Sequence, residues 1–389
     1  MTTGTNIQKP SSPTFQSYNP FAETEQIKYI WTTLLDKCPH SYFTSWGWIS
    51  TWLNSLPTNL DLQLIVGFQQ EEPIIAFFIG RSRKKKYKLI TTQVISLNST
   101  ANRYFDELTI EHNSILFDPA YAMNIDDVFN YLKPMRWHEF RMPGASSNFI
   151  SSFKLLNNTG RIYYLMIDRN TNSFFVELQK IRDAGMDYLK LLSANKRSQI
   201  RRSIKQYELE GQVQIHEATT PQEALTMLEQ LAVLHQQEWT KRGEDGSFSN
   251  QHFYQFHKDL IQNRFEQGEI QLLHIFTPHK TIGYLYNFIY DNNVLFYQSG
   301  FNYAAENIYR PGLVSHYFAI IHNTKKNLTN YDFLAGDSAY KTSLSTNSEP
   351  IYWLRFIKSQ GRFNFEKGIL KIKQTFKDYT SKNAKQATS

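Results

Sequence analysis

The stretch VLFYQSGFNYAAENIYRPGLVSHYFAIIHNTKKNLTNYDFLAGDSAYK, Val294 to Lys341, decides how the rest of the chain is read. Val294–Phe301 is apolar and aromatic enough for a buried strand, and Asn302–Tyr309 reads as a loop. From Gly312 the apolar positions Leu313, Tyr317, Ile320 and Ile321 recur at helical spacing, and the helix ends at Lys325-Lys326-Asn327. Tyr331–Leu334 is a second short strand, followed by a polar turn. The chemistry falls at the joins. Arg310-Pro311-Gly312 opens the helix: proline fits the first turn, where its missing N–H costs nothing, and glycine lets a ligand approach the backbone. Such a start offers unpaired N–H groups and the positive end of the helix dipole to a phosphate, and Arg310 adds a fixed charge. A plain strand-to-helix turn with a surface arginine would carry the same residues.

Upstream lies a meander of strands, Glu269–Phe276, Thr281–Tyr290 and Val294–Phe301, with turns at Pro278–Lys280 and Asp291–Asn293. Two helices precede it, Pro221–Lys241, begun by Thr220-Pro221, and Ser249–Glu266, joined by the glycine-bearing loop RGEDGSF. Before them a helical Ser173–Leu192 leads into KRSQIRRSIKQYELEGQ and a short strand, Val213–Glu217. Lys196, Arg197, Arg201, Arg202 and Lys205 include pairs three to five residues apart, so several share one helix face. That face is either solvated or holds the phosphates of a ligand. Downstream, Ile351–Ile357 is one more strand and Asn364–Phe376 a terminal helix with a polar tail.

The residues from about 21 to 170 form another unit. Glu23–Asp36 and Ser45–Leu56 are helices, the second rich in tryptophan (Trp46, Trp48, Trp52), a pattern expected in a core. Leu60–Phe68 and Pro73–Gly80 are strands, and the charge run Arg81–Lys88 extends the second as a solvated end or an anion-binding edge. Lys88–Leu97 and Tyr104–Phe117 are strand-like, Ile125–Leu132 helical, Trp137–Met142 a strand, Pro143–Asn158 a loop and Arg161–Ile167 a strand. Asp168–Asn172 reads as a linker, which sets a boundary near Asn170. Glu111-His112 lacks the ligand spacing of a metal site.

The second unit repeats the first. Leu62–Gly80 (LQLIVGFQQEEPIIAFFIG) aligns without a gap to Ile270–Phe288 (IQLLHIFTPHKTIGYLYNF), each copy following a helix and forming a hairpin. The division expected is a disordered leader over 1–20, domains over 21–170 and 171–380, and a polar tail over 381–389. Aromatic residues make up 15% of the 389, material enough for a buried core. The single Cys38 rules out an internal disulfide framework and fits a reducing compartment. No run reaches the roughly 18 to 20 apolar residues that a membrane span needs, and the polar N-terminus is no secretory signal, so a cytoplasmic location is expected. The formal charge of +7 favours an anionic ligand without requiring one. There is no GxSxG, no Cys–His pairing and no HExxH.

Four groups of residues, in this order, carry a resemblance: Leu192-Ser193-Ala194-Asn195-Lys196-Arg197 with Arg201-Arg202; His235 with Trp239 and Arg242-Gly243; Tyr309-Arg310-Pro311-Gly312; and Asp332-Phe333-Leu334 with Gly336-Asp337 and Tyr340-Lys341. The chain resembles the GNAT acyltransferases, in the branch holding the CelD/BioF2-like and FemAB-like proteins. The resemblance implies an α+β fold of two tandem GNAT-like domains. Each would be a mixed, mostly antiparallel sheet flanked by helices, the first degenerate and without the phosphate-binding turn. It implies an N- or O-acyltransferase, acetyl-type, acting on a cell-envelope or exopolysaccharide precursor or a related small-molecule amine, with no metal.

Tyr309, Arg310, Pro311, Gly312 and Leu313 would bind the donor, acetyl-CoA or another acyl-CoA. Only one glycine of the family-wide pattern remains, which leaves aminoacyl-tRNA, the donor of FemAB-like proteins, open as well. Asp337, Tyr340 and Lys341 are the catalytic candidates: a base or acceptor-orienting carboxylate, a donor to the leaving thiolate, and an anion clamp. Arg197, Arg201 and Trp239 would meet the acceptor, a small or nucleotide-linked molecule. A binding module on a degenerate transferase fold is the non-enzymatic alternative.

Overall fold

A computed structural model of the chain describes residues 12–86, 90–121, 124–155, 163–304, 306, 308–369 and 371–372. The first half runs β1 (Thr14–Tyr18), α1 (Thr24–Leu35), α2 (Trp46–Ser55), β2 (Leu62–Gln69), β3 (Glu72–Lys86), β4 (Ile90–Leu97), β5 (Leu116–Phe117), α3 (Ile125–Leu132), β6 (Glu139–Ser146), α4 (Ser147–Ser152) and β7 (Tyr164–Glu177). The second continues through α5 (Leu178–Asp183), α6 (Ala194–Glu208), β8 (Gln214–Glu217), α7 (Pro221–Lys241), α8 (Gln251–Arg264), β9 (Ile270–Thr277), β10 (Lys280–Tyr290), β11 (Asn293–Phe301), α9 (Pro311–Lys325), β12 (Asn330–Ala335), α10 (Ala339–Leu344) and β13 (Asn347–Ile357).

All strands join one sheet, in the order β1-β2-β3-β4-β6-β13-β7-β12-β11-β10-β9-β8, with β5 beside β3. Read from either edge the pattern is the same. A four-stranded antiparallel run (β1 to β4, or β8 to β11) is followed by a parallel neighbour (β6 on β4, β12 on β11) and then an antiparallel one. The hairpins β2–β3 and β9–β10 hold equivalent places, and they are the two segments whose sequences align. The last neighbour is exchanged. β7, from the first half, closes the second half's sheet on β12, while β13 closes the first half's sheet on β6, and β7 and β13 pair along their length.

The sheet is packed by three cores. One is shared by both halves: Trp31, Trp48 and Trp52 of α1 and α2 pack with Phe253 and Phe256 of α8 and Phe288 of β10. The tryptophan-rich helix is therefore core. Each half has a second core on the other face, under α3 and α4 or under α5, α6 and α9. Among the described residues no helix is long and apolar enough to cross a membrane.

Several local expectations give way. Thr14–Tyr18, expected in the leader, is a strand on β2, while 1–11 and the 381–389 tail lie outside the described residues. Tyr104–Phe117 is mostly loop. Asp106 accepts from the Thr100 amide and hydroxyl (both 2.7 Å), a local alternative to a ladder, and Thr109 and His112 take left-handed φ of 44° and 48°. Pro143–Ser146 belongs to β6, and the Ser146 hydroxyl then caps α4 at Phe149 N (3.2 Å). Asp168–Asn172 is the middle of β7, not a linker, so a division at residue 170 passes through a strand. Ser173–Glu177 stays in that strand, where Phe174, Phe175 and Val176 suit a sheet. Past α5, φ of 73° and 66° at Gly185 and Met186 break the expected helix into short turns.

One ion network fastens the helical stretch 360–369 to the sheet. Arg355 on β13 donates to Asp168 (2.8 Å), to Glu366 of the helical stretch 360–369 and, at 3.4 Å, to Glu139 on β6. Lys86 reaches Glu139 and Glu366 as well. Burial would raise the Glu139 carboxyl, but Lys86, Arg141 and Arg355 outweigh it and hold it below its ordinary value. The stability it contributes is therefore present above the ordinary carboxylate pKa and is lost as pH falls through the lowered one. Arg355→Met should leave the buried Glu139 and Glu366 with Lys86 and Arg141 as their remaining cations, take the paired guanidinium from Asp168, and cost about 3–5 kcal/mol. Thermal unfolding of the variant checks this, and an unchanged Tm would mean that the network contributes nothing net.

Candidate functional site

The parallel strands β11 and β12 pair only from Asn293–Leu295 to Asn330–Asp332 and then part. Between them opens a cavity of about 800 Å³. Its walls are Phe296–Ser299 of β11, the start of α9 (Arg310–Leu313), the end of β12 with α10 (Ala335, Tyr340, Lys341), and one face of α7 (His235, Glu238, Trp239, Arg242). α7 lies hard against β11: a Cβ on Gly300 would sit 2.3 Å from the Leu231 carbonyl, so only glycine allows this approach.

At the start of α9, Arg310 adopts a left-handed φ of 40°, and Pro311 takes the first helical position. The Leu313 and Val314 amides fold back on the Arg310 carbonyl (3.0 and 3.3 Å), whereas the Gly312 N–H has no acceptor among the described residues. Lys196, from the start of α6, stands close enough to Arg310 that burial and that charge together lower its pKa. Two cations and a free amide thus face the cavity at a helix's positive end.

The other wall is held from behind. Lys341 donates to the carbonyls of Leu334 (3.1 Å) and Ala335 (2.8 Å), and burial lowers its pKa. The Ala335 amide donates to Glu111 of the first half (2.6 Å), and burial raises that carboxyl. Asp332 accepts from Ser173 and from the Leu334 amide (both 2.7 Å). Tyr340 stacks on His316 (5.5 Å, 14° between planes), and its hydroxyl is pushed up by burial. His316 Nδ1 is hydrogen-bonded with the Tyr331 hydroxyl (3.1 Å), its Nε2 has no partner among the described residues, and burial drives its pKa down to about 3.

Of the residues expected from sequence, Arg310, Pro311, Gly312, Leu313, Trp239, Tyr340 and Lys341 come together around this cavity. The rest do not. Asp337 is exposed and accepts from the Thr171 hydroxyl (2.6 Å). Tyr309 turns away onto Tyr207 (4.9 Å) and lies under Lys280. Arg197 donates to the Leu192 carbonyl (3.1 Å), and Arg201 is exposed on α6. His235, Glu238, Arg242 and His316 have no site role in the sequence reading. A signal for the first three is present, because His235, Glu238, Trp239 and Arg242 follow i, i+3, i+4, i+7 and so share a helix face.

A second cavity, about 570 Å³, opens where β4 and β6 part beyond their Val94–Ser96 pairing, the equivalent place in the first half. No α-helix N-cap lines it; instead Trp48, Trp52 and Trp353 meet Lys84, Arg103, Arg141 and Arg169, with Asp106 and Asp168 among them. Leu108–Ile110 line it too, and the Leu108 carbonyl accepts from Tyr297, whose residue lines the larger cavity, so this loop is the partition between them.

Residues 194–342 match the family model described as the acetyltransferase (GNAT) domain. These residues are a GNAT domain. Over the whole chain the fold is that of two tandem GNAT-like halves, the first degenerate in having a loop where the second has the helix start. The crystal structure of FemX is similar at 11% identity, covering 87% of this chain and 97% of FemX, with a TM-score of 0.51. A conserved protein of unknown function from Bacteroides thetaiotaomicron is similar at 10% identity, over 89% of this chain and 100% of its own, with a TM-score of 0.52. No curated protein is significantly similar in sequence. Among the described residues no cluster of three or more His, Cys, Asp or Glu is placed to hold a metal ion.

The partition makes a pH prediction. His112, in the same loop, has its ring nitrogens 3.4 Å from Asp332 on β12 and from Glu349 on β13. Burial would lower its pKa, but Asp332, Glu349 and Glu111 outweigh burial and raise it to about 9. Because the folded pKa exceeds the ordinary 6.5, the stabilisation is complete below that value and is lost as pH rises through about 9. Tm should therefore fall over that window, and His112→Gln should flatten the fall. Identical pH profiles for the two proteins would remove His112 from the interface's energetics.

Proposed function

We propose that this protein transfers an acyl group, acetyl by preference, from an acyl-CoA thioester to an amine or hydroxyl of a cell-envelope or exopolysaccharide precursor or a related small-molecule amine. The reading belongs with the CelD/BioF2-like branch and with a cytoplasmic location. The observation that carries it is the start of α9 opening on a cavity between parted parallel strands, with Arg310, Lys196 and the free Gly312 amide together. That set suits a pyrophosphate, held by charge and by a backbone donor. Among the described residues the inner edge of β11 beyond Leu295 has no strand partner, so its backbone groups are available to a thioester carbonyl. The Tyr340 hydroxyl keeps its proton and is a donor for the leaving thiolate. Lys341 and Glu111 support the β12 end, and Asp337 takes no step.

Acetyl-CoA should bind in calorimetry, and Arg310→Ala should weaken it by roughly ten- to a hundred-fold, the worth of one charge-assisted contact. No heat of binding at millimolar ligand would remove acyl-CoA as the donor.

One observation favours a second donor. Arg201, Arg202 and Lys205 are exposed on α6 and have no carboxylate partner among the described residues, a surface that an aminoacyl-tRNA would use. Binding of tRNA that falls steeply with salt and weakens on Arg201→Ala would replace acyl-CoA by that donor.

A further inference from the structure

The α7 wall of the cavity contains a histidine arranged for proton transfer. His235 Nδ1 lies 3.2 Å from the Gln236 side-chain oxygen, which accepts, so the proton sits on Nδ1 and the lone pair on Nε2. Nε2 has no partner among the described residues, is not a buried orphan, and belongs to a residue lining the cavity. The ring plane is fixed by Trp239 (5.7 Å) and, edge-on, by Phe248 (5.1 Å). The loop after α7 closes on this pair: a Cβ on Gly246 would lie 2.0 Å from the Gln236 oxygen and 2.9 Å from His235 Cε1. Only glycine leaves room for the arrangement.

The other candidate bases are committed elsewhere. Asp337 accepts from Thr171, Glu238 is paired with Arg242 (2.7 Å), and Lys341 is spent on two carbonyls. His316 is enclosed by Phe296, Phe301, Phe333 and Tyr340, and it is too weak a base at about 3. Burial also lowers His235 below its ordinary value, so it is neutral near pH 7. The charged and titratable groups sharing its cavity are Glu238 and Arg242 on α7, Lys196 on α6, Arg310 and His316 at α9, Lys341 and Tyr340 on α10, and Tyr303 in the loop after β11.

We propose that His235 is the general base of the transfer, taking the proton of the attacking acceptor nitrogen or oxygen on Nε2. The inference rests on the acyl-CoA reading of the same cavity. As the nucleophile bonds to the thioester carbonyl carbon, its proton moves to Nε2. The tetrahedral intermediate then expels the C–S electron pair with the CoA thiolate, which takes the proton back from the imidazolium. Amide or ester and free thiol result, and His235 returns to its starting form.

Two measurements on the full chain test it. Diethyl pyrocarbonate acylates accessible, unprotonated imidazole, and peptide mapping reads which histidines react. His235 should be labelled, with a rate that titrates below the ordinary histidine pKa, and CoA should protect it. Acetyl transfer from acetyl-CoA to hydroxylamine, read as thiol release, should lose about 10²–10⁴ in kcat in His235→Asn. In the same variant the affinity for CoA should be unchanged, the acidic limb of the pH profile absent, and part of the rate restored by added imidazole. An unlabelled His235, or a variant that turns over with the wild-type rate and pH limb while still binding CoA, overturns the assignment alone. Wild-type protein that neither binds CoA nor releases thiol overturns the acyl-CoA reading, and the base with it.

Discussion

The parting of β11 from β12 is the constraint on which the site depends. Two parallel strands that stop bonding leave backbone donors and acceptors inside the protein, and each needs a partner. On β12 the partners are side chains. Asp332 takes the Leu334 amide, Glu111 takes the Ala335 amide, and Lys341 donates to both of their carbonyls. Leu334 is held at a left-handed φ of 58° to allow this, a conformation costing about 1–2 kcal/mol. With β12 satisfied by lysine and carboxylates, nothing draws it back to β11. The inner edge of β11 is left open to whatever enters, and a stretch of backbone becomes a binding surface.

The first half is built into that arrangement. Glu111 and His112 reach across from it to Ala335 and Asp332, and Thr171 and Ser173 on β7 donate to Asp337 and Asp332. The exchange of β7 and β13 means that neither sheet is complete without a strand from the other half of the chain. A GNAT domain cut at residue 194 would lose β7, the edge against which β12 bends, together with the carboxylate that holds Ala335. The first half is thus the backing of the second half's cavity.

Much of this was legible in the sequence, for identifiable reasons. The meander, α7 and α9 follow from periodicity and from the Thr220-Pro221 and Pro311 starts, which are local signals. The aligned hairpins foretold equivalent strands because alternation in a sheet is a local property too. What was not legible depends on partners far away in the chain. Tyr104–Phe117 has the composition of a strand, yet Asp106 and two left-handed residues make it a partition. Asp168–Asn172 has the composition of a linker, yet β13 offers it a ladder. In the site, the motif at 309–313 located the helix start, but whether Asp337 or His235 faced the cavity turned on which neighbours occupied their polar atoms.

The loss of glycine from the family-wide turn also has a physical account. A glycine before the helix supplies a positive φ, and here Arg310 supplies it at 40° while bringing a charge that glycine lacks. Its carbonyl holds the Leu313 and Val314 amides, which fixes the first turn, and proline at the next position removes a donor that would otherwise go unsatisfied. One amide, that of Gly312, is left for a ligand, and Gly312 packs by its bare Cα against Phe301, where a Cβ would come within 3.3 Å of the ring. A turn with fewer free amides must lean more on its cations. The second cavity goes further: no α-helix N-cap lines it, and its charged lining is four cations, Lys84, Arg103, Arg141 and Arg169, with Asp106 and Asp168. The two openings of one repeated sheet therefore differ in their walls, an α-helix start with a free amide in one and a set of tryptophans and charged side chains in the other.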